Sequence, residues 1–360
     1  MTEYDFQTLK IADIDRTICD AARKQQKTLA KPYGSLGRLE ALSIQIAGIT
    51  GSLCPSILRR AVVVFAADNG VFEEGVTPIG QETTKLQCEN MARGRAGVAV
   101  LAKKAHADLL VVDVGAKHDM QEPAIRSHKI RRGTKNIAKE AAMTQSECLQ
   151  AMNIGANMAA ECAEKQYAMV GVGEMGVGNT TSSSAVASVL LACDPEQLTG
   201  RGAGLSDEAY AHKLRVIRHA IEINQPEPDD PMEVVQKVGG FDLAAMCGFI
   251  LMAAHHRLVV VIDGFISICA ALLAVRLQPN VASYLILSHR SAEPGYSAIA
   301  SAIKQKPLVD FDMRLGEGSG CPIAFQIADM AVVVLTDMAT FEEAGIQSET
   351  VEDNWATREI

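Results

Sequence analysis

The chain alternates short, unbroken apolar runs with longer alanine-rich stretches. Ala61–Ala67 (AVVVFAA), Leu109–Gly115 (LLVVDVG), Ala168–Gly173 (AMVGVG), Leu258–Gly264 (LVVVIDG) and Ser283–Ser288 (SYLILS) are the apolar runs, most of them rich in β-branched residues. They are continuous rather than alternating, so each predicts a strand buried on both faces. Leu39–Ile49, Cys148–Lys165, Ser182–Ala192 and Phe241–Ala254 read as helices between them. Strand and helix in alternation predict an α/β fold: a parallel sheet with helices on both faces, Rossmann-like. The expected layout is a single unit over 1–360. Its α/β core spans about 58–310, and residues 1–57 and 311–360 form a smaller, mostly helical subdomain. Gln225–Pro231 is a proline-rich loop.

Four of the expected strands end in polar or glycine clusters: Asp68-Asn69-Gly70, Gly173-Glu174, Asp263-Gly264 and Ser288-His289-Arg290-Ser291. In open parallel sheets the ligand lies outside the carboxyl ends of the strands. One site assembled from distant segments is the expectation. The segment Gly173-Glu174-Met175-Gly176-Val177-Gly178-Asn179-Thr180-Thr181 is the most informative of them. A strand, a glycine-rich turn and a hydroxyl-rich helix start form a layout that holds a phosphate, because backbone N–H groups converge on an anion. Thr180, Thr181 or Ser182 is placed to cap that helix. Glu174 is not needed by a phosphate cradle and must face a cation or a polar ring instead.

Gly171-Val172-Gly173-Glu174-Met175-Gly176 also matches the dinucleotide fingerprint G-x-G-x-x-G. That fingerprint wants an acidic residue at the end of a second strand roughly 20 residues on. Asp194 has the spacing but directly follows the helix, which speaks against a nicotinamide-dinucleotide site.

Composition narrows the class. Hydrophobic residues make up 48% of the 360, ample for a large core, and aromatics only 4%, which suits close-packed small side chains. A net charge of -9 argues against a nucleic-acid partner but leaves room for a small anion in a local site. The nine cysteines contain no C-x-x-C pair and read as reduced core residues of a cytoplasmic protein. The apolar region Leu243–Leu277 is interrupted by His255-His256-Arg257 and by Asp263-Gly264, so no membrane span is expected, and no signal peptide is evident at Met1. His255 and His256 are adjacent and lack a cysteine or carboxylate at ligand spacing, so no zinc site is visible; no other metal and no cofactor is expected.

Two further segments carry candidate chemistry. In Arg314-Leu315-Gly316-Glu317-Gly318-Ser319-Gly320 a lone carboxylate stands among glycines. It reads either as a solvated turn or as a general base that a ligand can approach closely. Gly200–Gly204 with Asp207 and Lys213 forms a second possible anion cradle, Lys213 supplying either a point charge for phosphate or an ordinary solvated helix face. Together the elements point to a phosphorylated sugar and a proton transfer.

These segments, with Lys31–Glu40 (KPYGSLGRLE), Ala67–Val71 (ADNGV), Asp263–Ser267 (DGFIS), His289–Gly295 (HRSAEPG) and Met338–Gly345 (MATFEEAG), resemble the nicotinate-nucleotide–dimethylbenzimidazole phosphoribosyltransferase family in order along nearly the whole chain. The resemblance implies transfer of phosphoribose from nicotinate mononucleotide to a lower-ligand base of cobamides. It implies Glu317 as the catalytic base, which takes the proton from the base nitrogen, and Glu174 as a second catalytic acid. It implies substrate binding by Gly176, Gly178, Asn179, Thr180, Gly202, Gly204, Lys213, Asp263, Ser291, Leu315 and Gly316, with the phosphate on Gly176, Gly204, Lys213 and Ser291. It also implies a homodimer. Members often carry His where Asn69 stands, and the loop Gly75–Gln87, which helps line the base pocket in the family, departs from the usual run. The acceptor, whether dimethylbenzimidazole, a purine or a phenol, stays open at this point.

Overall fold

A computed structural model describes residues 2–202 and 204–347. Its sheet has six strands: β1 (Arg60–Ala67), β2 (Asp108–Gly115), β3 (Arg126–Ser127), β4 (Met169–Met175), β5 (Val259–Ile262) and β6 (Leu285–Leu287). They lie in the order β3-β2-β1-β4-β5-β6, and every neighbouring pair is parallel. The chain winds outward from β1 to β3, then returns to the other side of β1 for β4. The order therefore reverses between β1 and β4, where diverging loops open a crevice. All five anticipated strands are present. The two-residue β3 was not anticipated; Arg126 and Ser127 pair with Val112 and Asp113 through backbone alone and carry no apolar run.

Both sheet faces are covered, as continuous apolar strands require. Side chains alternate along β1, so Val62 faces Gly318 while Phe65 meets the ring of Phe249 edge-on at 5.7 Å. The helix Phe241–His255 lies on the Phe65 face and is buried from Phe241 to Ala254, in keeping with its lack of a polar side. It packs on the helix Gln145–Glu164 almost backbone to backbone. A Cβ on Gly155 would stand 1.8 Å from the Ala245 carbonyl oxygen, and one on Gly248 2.0 Å from that of Met152. The opposite face is covered by the helix Cys321–Asp337, whose Cys321 and Phe325 fill the space above Gly171.

The helix Gln145–Glu164 starts three residues before the expected Cys148, where Thr144 and Glu147 form a reciprocal capping box. The N-terminal segment is less helical than expected. Residues 2–15 form no helix. Thr2 and Tyr4 donate backbone N–H bonds to Asn157 and Asn153 of the helix Gln145–Glu164. Helices follow at Arg16–Thr28 and Arg38–Thr50, and they share an apolar cluster with Cys321–Asp337 made of Cys19, Ala22, Ile44, Ala47 and Leu335. The connecting turn is tied by a buried ion pair, Lys31 Nζ to Glu40 Oε1 at 2.7 Å, and Glu40 also accepts from Gly34 and Leu36 N–H. The part of the expected C-terminal segment from 348 to 360 lies outside the described residues.

Close helix contact makes Gly155 sensitive to one added carbon. Gly155→Ala is expected to lower unfolding free energy by about 1–3 kcal/mol or more through overpacking, read as a lower urea midpoint with unchanged slope.

Candidate functional site

A cavity of about 360 Å³ opens at the carboxyl ends of β4, β5 and β6. Glu174 reaches it from the end of β4, Gly176 from the turn that follows, Asn179 and Thr180 from the start of the next helix, Asp263 from just after β5, and Ser291 from beyond β6. Gly202 comes from a neighbouring loop, and Leu315, Gly316 and Glu317 from the segment before the helix Cys321–Asp337. Of the four polar strand ends, that of β1 stays behind the wall. Asp68 is consumed by Thr84 Oγ1 at 2.6 Å and Lys117 N–H at 2.7 Å. Asn69 is buried and accepts from Ser182 Oγ at 3.0 Å. Asn69 stands behind the cavity wall, close to Gly178, donating its N–H to the Val177 carbonyl and accepting at its own carbonyl from Gln81 Nε2 at 3.4 Å. The loop Gly75–Gln87 does reach it, through Ile79, Thr83 and Gln87.

The helix after β4 begins at Asn179 and runs to Leu191, earlier than expected at Ser182. Gly178 caps it with φ +93°, a left-handed turn open to glycine, and no hydroxyl makes the cap bond. Thr180, Thr181 and Ser182 therefore sit inside the first turn. Gly178 itself stays out of the lining, close against Asn69. Gly176 lets the turn touch β1: a Cβ there would lie 2.0 Å from the Ala67 carbonyl oxygen. The dinucleotide fingerprint fails here for a physical reason. Gly171 and Gly173 are inside β4, not in a turn after it, and Asp194 caps the short helix Pro195–Leu198 and pairs with Arg218.

Glu317 stands in a run of left-handed residues, with φ +81° at Gly316, +65° at Glu317 and +87° at Gly318. Such a conformation costs a non-glycine residue on the order of 1 kcal/mol and is typical of functional turns. The turn lies on β4 with no room to spare, since a Cβ on Gly173 would meet the Gly318 nitrogen at 2.5 Å. Glu317 Oε1 accepts from Gln87 Nε2 at 2.6 Å, and Oε2 from the Val98 N–H at 3.3 Å, in the first turn of the helix Gly97–Lys104. The two donors fix the plane of the carboxylate. The Glu317 N–H in turn donates to Glu174 Oε1 at 3.4 Å.

Glu174 is buried, and its carboxyl is pushed up to about 8, first by burial and then by the charge of Asp242. The Asn179 amide bridges the two acids, donating to Glu174 Oε2 and to Asp242 Oδ2. Burial likewise pushes Asp242 up to about 6 and Asp263 up to about 7. Asp242 was not anticipated. Its one sequence signal is a lone carboxylate opening an otherwise apolar helix after Gly239-Gly240. Gln87 and the Val98 N–H were missed as partners of Glu317, because nothing local links them to a residue more than 200 positions away.

Lys213 is buried beneath the wall and donates from Nζ to Thr180 Oγ1 at 3.0 Å. Burial pushes its ammonium down to about 8, against the attraction of Glu293. Gly204 is exposed, with φ +96°, and borders an adjacent recess rather than the cavity. Its neighbour Ala203 in the expected Gly200–Gly204 cradle lies outside the described residues. Arg290 turns outward to Asp310, while His289 turns inward, its Nδ1 3.0 Å from Ser288 Oγ, with burial lowering its pKa. Among the described residues no cluster of three His, Cys, Asp or Glu side chains is placed to hold a metal ion, and no helix is long and apolar enough to cross a membrane.

A family model described as phosphoribosyltransferase matches residues 11–346. The chain belongs to this family. It is 46% identical to the nicotinate-nucleotide–dimethylbenzimidazole phosphoribosyltransferase of Ruminiclostridium cellulolyticum over 337 residues, covering 94% of this chain and 96% of that one. It is 44% identical to the enzyme of the same name from Acetivibrio thermocellus over 343 residues, covering 95% and 98%. A crystal structure of the enzyme so named from Thermus thermophilus superposes with a TM-score of 0.88 at 34% identity, over 93% of this chain and 100% of that one.

Within this phosphoribosyltransferase fold the buried acids have a consequence for stability. Glu174 binds its proton more tightly folded than unfolded, so its favourable share is complete below its ordinary value of 4.5 and is lost as pH rises through about 8. The ligand-free protein is therefore expected to lose unfolding free energy between about pH 5 and pH 8, and Glu174→Gln to flatten that slope in a urea series.

Proposed function

We propose that the chain transfers the phosphoribosyl group of nicotinate mononucleotide to 5,6-dimethylbenzimidazole or a similar lower-ligand base. The products are nicotinate and an α-ribazole phosphate for the nucleotide loop of cobalamin-type cofactors. The observation that carries this reading is the convergence of two glutamates, Glu317 and Glu174, on one cavity that also holds a glycine-rich helix start. A ribosyl transfer to a weakly acidic N–H needs that combination: a base for the proton, negative charge for the sugar, and N–H groups for the phosphate.

In this reading the acceptor's free ring nitrogen attacks the anomeric carbon from the face opposite nicotinate. The new N–C bond forms as the bond to the pyridinium nitrogen breaks, its electron pair staying on nicotinate, and the configuration inverts from β to α. Glu317 takes the proton of the acceptor's other ring nitrogen. The positive charge moves from the pyridinium to an oxocarbenium-like sugar, and that charge favours the ionised form of the neighbouring Glu174, whose carboxylate stabilises it. The phosphate is held at Gly176, Thr180, Gly202 and Ser291, with Lys213 supplying charge through the Thr180 hydroxyl and Gly204 at the rim. Asn179 and Gly178 set the helix start, and Leu315 and Gly316 flank the acceptor. The same reading carries a homodimer, from the family resemblance, and a cytoplasmic setting, which its nine free cysteines suit.

Loss of the base should affect turnover far more than binding. Glu317→Gln is expected to lower kcat by roughly 10²–10⁴-fold, the usual worth of a general base, with the Kd for nicotinate mononucleotide nearly unchanged. Nicotinate release followed by chromatography, with calorimetric titration of the mononucleotide, measures both. Wild-type rates in the variant would remove Glu317 from the chemistry.

A further inference from the structure

Asp263 stands at the end of β5, buried to 1% exposure, on the cavity wall. Both of its carboxylate oxygens are aimed at one neighbouring turn. Oδ2 accepts from the Gly318 N–H at 2.9 Å and Oδ1 from the Gly320 N–H at 2.7 Å. These two N–H groups lie just before the helix Cys321–Asp337 and stand on either side of Ser319, immediately after Glu317. The turn's own bonds are few, Ser319 N–H to the Gly316 carbonyl and Cys321 N–H to the Gly318 carbonyl. They do not by themselves specify three successive left-handed residues, one of which carries a side chain.

We propose that Asp263 is the positioning residue for Glu317: its carboxylate clamps Gly318 and Gly320 and so holds the strained turn that presents Glu317 to the cavity. This rests on the reading of Glu317 as the base. Glu317 is then fixed from two directions. Gln87 and Val98 hold its carboxylate, while Asp263 holds its backbone from the far side. Charge-assisted bonds to backbone N–H are the strong kind, and two of them on one carboxylate leave it little freedom to turn toward a substrate. Glycine at 318 and 320 is part of the device. A Cβ at 318 would strike Val62 at 2.7 Å, and one at 320 would strike His289 Nδ1 at 2.2 Å, so only glycines let the turn settle onto the aspartate. The aspartate acts through geometry and does not touch the reacting atoms.

The test has three arms. Hydrogen exchange on the unaltered protein needs no variant, and it should show slow exchange at the Gly318 and Gly320 amides. Asp263→Asn keeps one acceptor oxygen and the side-chain shape. It should speed exchange at those two amides and lower kcat by about 10–100-fold, with the Kd for nicotinate mononucleotide within about twofold of wild type. In the Glu317→Gln background, adding Asp263→Asn should lower kcat by less than about twofold, because a residue acting only through Glu317 has nothing left to position. Fast exchange at Gly318 and Gly320 in the unaltered protein overturns the proposal. So does a weakened Kd with intact kcat, or a full multiplicative loss in the double variant. If the unaltered protein releases no nicotinate, the transferase reading falls, while the exchange arm still decides whether the clamp exists.

Discussion

Three carboxyl groups, Glu174, Asp242 and Asp263, are buried at the carboxyl edge of one sheet; among the described residues no basic side chain forms an ion pair with them, His289 at 3.9 Å from Asp263 excepted. A charge so placed is costly unless N–H donors replace water. Here the donors are backbone amides and a single Asn179 side chain. The need for those donors shapes the surroundings. Loops must approach within hydrogen-bond distance of the acids, and they can do so only where Gly173, Gly176, Gly316 and Gly318 remove the obstructing Cβ. The glycine-rich character of the site thus follows from the acids as much as from any phosphate.

The arrangement also separates charge in space. The acids gather around the ends of β4 and β5, whereas Lys213 lies under Thr180 on the side of the helix Asn179–Leu191. A nucleotide whose phosphate lies toward the helix start would bring its sugar to the acids and its leaving base to the open side. The buried ammonium would act on such a phosphate through the Thr180 hydroxyl, with little exposure to water. Burial raises the acids and lowers the lysine, because each charged form loses solvation in the site.

Much of this was legible in the chain. Each long strand is a run that no helix or loop would need, and Glu174 and Glu317 stand out because a carboxylate among glycines serves no packing purpose. The rest required contacts made across the fold. β3 pairs through backbone alone and has no side-chain pattern to read. The helix start at Asn179 depends on the left-handed turn of Gly178, which overrode the more familiar hydroxyl cap. The polar end of β1 looked like its three counterparts, but Thr84 and Lys117 had already taken Asp68. Asp242 and Gln87 meet their partners only after helices distant in sequence have packed.

The most direct measurement is product analysis after incubating the protein with nicotinate mononucleotide and equal amounts of 5,6-dimethylbenzimidazole, adenine and phenol. The account predicts nicotinate released in step with one N-linked ribotide of the benzimidazole, α at the anomeric carbon by nuclear magnetic resonance. A β-linked product, an oxygen-linked phenol ribotide, or no release of nicotinate with any acceptor would contradict it.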